Sequence, residues 1–462
     1  MVSGWVAEGT LCLDSNSRHP WTACPGCYNR HGAATRGLVC TGAEEAMMQS
    51  LRVNGERLWS TVMETARFGG TPAGGITRLT LSDEDKQVRD WFVQQCRALD
   101  CAVTVDEVGN IFARRSGRDN LKPPIAFGSH LDTQPSGGKF DGIAGVLCGL
   151  ELLRTLEDNK LSTDSPLELI NWTNEEGSRF APTMIASGAF AGLYTTEYAH
   201  GLKDRQGNTF RGELERIGYL GDRPAGDHRP AAYFELHIEQ GPILYEEGIT
   251  IGVVTGAQGQ RWYDVNVWGR ASHAGSTPMP RRRDAMLGCA RLVDGVNRIA
   301  LDHAPAGVST VGLVEVSPNS RNVIPGHVFL TVDLRHPDGA VLTAMHGEYE
   351  SLVARVAEDT HVDIDSDCVL DLRPTRFNDR CVAAVRAVTE RLGYSHRDII
   401  SGPGHDAVNV AAVLPVAMIF IPCVDGISHN EAEAASQDDL TAGANVLLHT
   451  VLEYDQESAD AA

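Results

Sequence analysis

Four short clusters of His, Asp and Glu carry the residues of this sequence that could do chemistry. The first is Gly128-Ser-His130-Leu-Asp132-Thr133, followed by Gly137-Gly-Lys-Phe-Asp141-Gly142. Imidazole and carboxylate at a strand end and in the next loop can reach one point in space, and together they suit a borderline-hard divalent ion such as Zn, Mn, Co or Ni. Asp132, two residues past His130, is placed to orient that imidazole from behind. The second cluster is Asn174-Glu175-Glu176-Gly177. Adjacent carboxylates point in different directions, so one can hold an ion while the other moves protons. The third is Phe234-Glu-Leu-His237-Ile-Glu239-Gln240-Gly241, and the fourth Gly426-Ile-Ser428-His429-Asn430-Glu431. Singly, each has a plain alternative: a surface His beside solvated Asp, Glu complementing a helix dipole, or a structural histidine. The weight lies in four such clusters in one chain, all beside expected strand ends.

The elements that must position them follow from periodicity. Asn54–Trp59 leads an amphipathic helix, and Thr80–Leu99 reads as another, with Ser82 as N-cap and Asp85 three residues on. Strands are expected at Ile111–Arg114, Pro124–His130, Leu167–Thr173 and Val416–Pro422, and helices at Gly142–Leu156, Val382–Leu392 and Asp438–Glu453. This alternation predicts an α/β sheet covered by helices, with ligands beyond the carboxyl ends of its strands. Between about Gly259 and Pro374 the character changes. Trp262–Trp268 alternates like a half-buried strand, Arg283–Ala300 and Thr343–Glu358 read as helices, and Val308–Val316 and Val328–Leu334 as strands. That is a β-α-β-β-α-β-like, ferredoxin-like insert. The expected domains are therefore 51–258 and 375–462 for the main α/β body and 259–374 for the insert.

Composition bounds the partners. With 42% hydrophobic and 22% charged residues over 462 positions, the chain can build two sizeable cores. A net charge of -21 repels phosphate backbones, which argues against nucleic acid. No apolar run reaches membrane-spanning length, and no basic-then-apolar leader opens the chain, so neither a membrane nor export is expected. The eleven cysteines, several inside apolar or helical runs, fit reduced thiols and a cytoplasmic location. Residues 1–50 stand apart. They show no sustained periodicity and read either as a disordered leader or an upstream extension ahead of Met47 or Met48, or as a small zinc site around Cys24 and Cys27, with Cys12, Cys40, His19 and His31 nearby; a single CxxC is a weak signal, and the leader or extension reading is preferred.

From Leu51 to Tyr454 the ordered motifs HLDT…GGxxDG, NEEGSRF, HIEQGP, SHAGSTPM, NSRNVIPG, DLRH, GHDA and SHNE resemble the M20 metallopeptidase clan, and within it the amidase, hydantoinase and carbamoylase branch. The resemblance implies an α/β di-metal hydrolase domain with an inserted α+β lid and dimerisation domain, two divalent ions per subunit, and a homodimer. It implies that His130 and His237 bind one ion, Glu176 and His429 the other, that Asp141 bridges them, and that Glu175 is the general base. His273 resembles the branch's oxyanion-stabilising histidine, donated by the neighbouring subunit. Gln240, Asn322, Arg335 and, less directly, His405 fall where the branch contacts substrate. An Arg fork suits a carboxylate, although a strand-end ion pair of Arg335 with Asp333 or Asp338 is the structural alternative. The implied substrate is a small ureido acid: an N-carbamoyl-L-amino acid first, allantoate or β-ureidopropionate otherwise.

Overall fold

Apolar runs too short for helices become the buried centre of a nine-stranded mixed sheet. The computed structural model describes residues 48–460; the Cys24/Cys27 pair and nearly all of the expected leader lie outside the described residues. Ile125–His130, Leu167–Trp172, Ala232–Ile238 and Val416–Ile421 are buried at every position, as strands covered on both faces must be. The strand Ile125–His130 runs parallel to Leu167–Trp172 on one side and to Ala232–Ile238 on the other, and Val416–Ile421 runs parallel to Ala232–Ile238. Four carboxyl ends thus open on one edge of the sheet. Antiparallel pairings add Ile111–Arg115 and Ala102–Val105 on one side and Ile251–Ala257 on the other, which also pairs antiparallel with Thr375–Arg376 and parallel with His396–Ser401.

Helix Ile143–Asp158 is apolar nearly all round, so it must be buried. It packs on the strands bearing His130 and His237, and Gln437–Asp460 packs on it in turn. The second helix starts at Asp83, later than the expected Thr80, because Leu81 adopts a positive φ of 57° and Ser82 caps the first turn from an extended conformation, accepting from the Asp85 N–H.

Gly259–Trp268 lies in a second, five-stranded antiparallel sheet, between His327–His336 and Asp363–Leu372. Helices Ala285–Asp302 and Gly339–Thr360 pack on this sheet. It has a core of its own, including Val265, Val267, Leu292, Leu330, Tyr349 and Leu352. The expected strand Val308–Val316 is two strands, Val308–Thr310 and Val314–Ser317. Both pair with His327–His336, but Thr310 faces Asp333 while Val314 faces Leu330. This side carries one residue more than its partner, so the ladder breaks between them. Among the described residues the seven cysteines are free thiols, and no helix is long and apolar enough to cross a membrane.

Candidate metal centre

The parallel strands bring the clusters together at their carboxyl ends. His130 closes its strand and His237 is the last residue but one of its own. Glu175 and Glu176 follow Leu167–Trp172, Asp141 precedes helix Ile143–Asp158, and His429 lies in the loop after Val416–Ile421.

Asp141 sits at the middle. Its Oδ1 lies 3.2 Å from His237 Nε2 and 3.7 Å from His130 Nε2. Its Oδ2 lies 3.3 Å from His429 Nε2, which is 3.6 Å from Glu176 Oε2. Two ligand triads, His130–Asp141–His237 and Asp141–Glu176–His429, therefore share one carboxylate through different oxygens. His130 Nδ1 is 2.9 Å from the Asp132 carbonyl oxygen and His237 Nδ1 2.9 Å from that of Ile238. Backbone acceptors fix both rings so that Nε2 turns toward Asp141. Asp132 thus orients His130 through its main chain; its carboxylate is 3.8 Å away and instead accepts the Glu176 N–H.

Several features of this pocket fit cations. His130 Nε2 is buried without a hydrogen-bond partner, and burial pushes His130 down to about 4, keeping the ring neutral. Burial, with Asp406 and Glu176 adding to it, raises Glu175 well above the carboxylate range; burial, Asp141 and Asp132 do the same to Glu176. Burial opposes the charge on Asp141 too, but hydrogen bonds with His237 and His429 outweigh it and hold Asp141 well below the usual range. Burial lowers His237, yet Asp141 prevails and pushes it up to about 9. The hydrogen bonds argue otherwise: Nε2 accepts the Gly142 N–H at 3.0 Å while Nδ1 meets a carbonyl, which is the pattern of a neutral imidazole. Carboxylates crowded this closely in so dry a site are relieved by positive charge, and neutral imidazoles are the form that binds metal.

A cavity of about 220 Å³ opens beside Asp141, lined also by Glu175, Glu176, His237, Gln240, His405, His429 and Arg335. Gln240 Nε2 lies 2.8 Å from Asp141 Oδ2. His405 is buried, its ring 4.4 Å from that of His237 and its Nε2 3.0 Å from Ser401 Oγ. Arg335 reaches the cavity from the second sheet, but its guanidinium grips Asp333 (2.8 Å) and the Gly402 carbonyl (3.1 Å). The strand-end ion pair is thus with Asp333; Asp338 caps helix Gly339–Thr360 instead. Two expected residues are not brought in. His273 lies on a two-stranded ribbon opposite Val323, and Asn322, just before that strand, accepts the Ala274 N–H; both are exposed, and neither lines the cavity. Glu239 is also no part of it, because its carboxylate caps the short helix Ile243–Glu247.

Sequence reasoning missed three residues. Gln134 donates its backbone N–H to Glu176 Oε1 (3.1 Å) and its amide to Oε2 (2.8 Å). Ser428 Oγ lies 3.0 Å from both Asp141 Oδ2 and Glu433 Oε2. Each stands within four residues of a ligand, but amides, hydroxyls and acids are too common beside histidines for that spacing to single them out.

Residues 126–453 match the sequence profile of peptidase family M20/M25/M40. The chain belongs to this family. Among its M20 relatives is the N-carbamoyl-L-amino-acid amidohydrolase of Rhizobium meliloti, 48% identical over 405 residues, which cover 88% of this chain and 97% of that protein. The allantoate amidohydrolase of Escherichia coli is 36% identical over 385 residues, 82% of this chain and 93% of its own. The crystal structure of a hydantoinase/carbamoylase family amidase from Burkholderia multivorans superposes with a TM-score of 0.83 at 56% identity, covering 87% of this chain and 98% of that one. The mixed α/β fold is therefore that of the M20 hydrolases, and the two relatives named above are amidohydrolases.

Proposed function

We propose that this M20 protein hydrolyses the ureido C–N bond of N-carbamoyl-L-amino acids, yielding amino acid, CO2 and ammonia. The observation that carries the reading is the pair of ligand triads sharing Asp141, in a chain that aligns along most of its length with an amidohydrolase of that substrate class. His130, His237 and Asp141 Oδ1 would hold one divalent ion, and Glu176, His429 and Asp141 Oδ2 the other, with Zn, Mn, Co and Ni all suited to these donors. Bound there, such ions supply Lewis-acid polarisation of the ureido oxygen and an acidified water. Glu175 stands outside both triads, 3.6 Å from His130 Nε2; it takes the water's proton and returns it to the leaving amine. Arg335 exchanges Asp333 for the substrate carboxylate, which its planar fork accepts bidentately. Gln240 and His405 complete the wall.

In this reading the second sheet, about 259–374, is a lid and dimerisation domain inserted between 51–258 and 375–462. His273 and Asn322, both exposed, act in the site of a neighbouring copy in a homodimer, His273 as oxyanion donor. The free thiols favour a cytoplasmic setting. Allantoate is the second reading, supported by the Escherichia coli relative. Ammonia release from N-carbamoyl-L-methionine, N-carbamoyl-β-alanine and allantoate, with Mn, Zn, Co or Ni added, decides among them. The expected outcome is turnover of the first substrate above the others. Turnover of allantoate alone moves the assignment to that substrate, and no turnover of any with any metal refutes the hydrolase reading.

A further inference from the structure

Glu433 lies four residues beyond His429 and outside both ligand triads, yet its carboxylate is buried against the loop that carries Asp141. Its Oε1 accepts the backbone N–H of Phe140 at 2.9 Å and of Asp141 at 3.1 Å. Its Oε2 lies 3.0 Å from Ser428 Oγ, which in turn lies 3.0 Å from Asp141 Oδ2. The contact with the loop is close enough to demand glycine: a Cβ on Gly138 would fall 2.0 Å from the Glu433 carboxylate. Glu433 thus grips Asp141 directly through its amide, the two carboxylates share the single Ser428 hydroxyl, and Glu433 belongs to the same loop as His429.

We infer that Glu433 is a positioning residue that locks the 138–141 loop to the 428–433 loop, so that Asp141 presents one oxygen to each side of the centre. This rests on the two-metal reading above. A bridging carboxylate is more demanding than a terminal ligand, since a rotation that suits one oxygen displaces the other. Two backbone N–H bonds to a buried acceptor fix the main chain that carries it, and partners of this outer kind typically change metal affinity or activity about 10–100-fold when removed.

The test uses the full chain as wild type, Glu433→Ala, Glu433→Gln and Ser428→Ala. Mn and Zn affinities are read by competition with a chromophoric chelator, and amide exchange at Phe140 and Asp141 is read in metal-free protein. Glu433→Gln keeps a carbonyl acceptor for both amides and offers an N–H to Ser428, so it should stay within about threefold of wild type in affinity. Glu433→Ala should lose tenfold or more and speed exchange of the two amides, and Ser428→Ala should fall between. The inference is overturned if Glu433→Ala binds both metals like wild type, or if Glu433→Gln is as damaged as Glu433→Ala. Failure of wild type itself to take up metal sinks the two-metal reading, and this inference with it, and is told apart because no variant is needed to see it.

Discussion

Replacing Gly142 by alanine tests the geometry of the centre most directly. Gly142 precedes helix Ile143–Asp158 with φ 66° and ψ -45°, a conformation outside the regions that L-residues favour, where backbone strain costs on the order of 1–3 kcal/mol. The larger effect is steric. A Cβ there would stand 2.2 Å from His130 Nε2 and 2.3 Å from its two neighbouring ring carbons, whereas heavy atoms pack at about 3.5–4.0 Å. The ring must therefore retreat by roughly 1.3 Å or more, and a misplacement of about 1 Å can cost on the order of 100-fold in rate. Gly192→Ala is the control: it has a positive φ of 76° but open space around the added methyl. Gly192→Ala should lose roughly 1–2 kcal/mol in urea unfolding from its positive φ, and Gly142→Ala more, because the clash with His130 adds to its backbone strain. Only Gly142→Ala should also lose bound metal, measured by elemental analysis, and kcat/KM for ammonia release, by about two orders of magnitude. Full metal occupancy with a rate within threefold of wild type would refute the claim that the Gly142 backbone closes directly on the His130 ligand atom.

The remaining predictions are briefer. Glu175→Gln should keep both metals and the fold but lose about 10²–10⁴-fold in kcat; near-normal turnover with full metal content removes Glu175 as the base. Arg335→Lys should raise KM for N-carbamoyl-L-methionine by roughly tenfold or more, because a point charge cannot replace the bidentate fork, worth about 1.5–3 kcal/mol for a charged hydrogen bond; an unchanged KM shows that the Asp333 pair is only structural. His228, 2.7 Å from buried Glu168 and 2.8 Å from Asp227, gives a pH test away from the centre. Burial lowers its proton affinity, but the hydrogen bond to Glu168 outweighs this and the net shift is upward from 6.5. A raised folded pKa means that its stabilisation is complete below about 6.5 and is lost as pH rises through the folded value. The His228→Gln stability deficit, from urea titrations, should therefore be larger at pH 5.5 than at pH 9; an equal deficit at both leaves packing, not charge, as its role.

The sequence by itself determined the candidate ligands and the strands that carry them. Buried strands need uninterrupted apolar runs and end where polar residues begin, so His130, Glu175, Glu176 and His237 declared themselves by following such runs, and the ordered motifs declared the family. The alternation of Trp262–Trp268 likewise announced a half-buried sheet with a different environment. Tertiary structure alone decided what those residues share. That one oxygen of Asp141 serves His130 and His237 while the other serves His429 depends on strands far apart in sequence lying parallel. That Asp132 acts on His130 through its carbonyl, that Arg335 rests on Asp333, and that Glu433 grips the Asp141 amide depend on main-chain direction and side-chain rotation. Periodicity records which residues leave water; it does not record which way a carboxylate turns once it is buried.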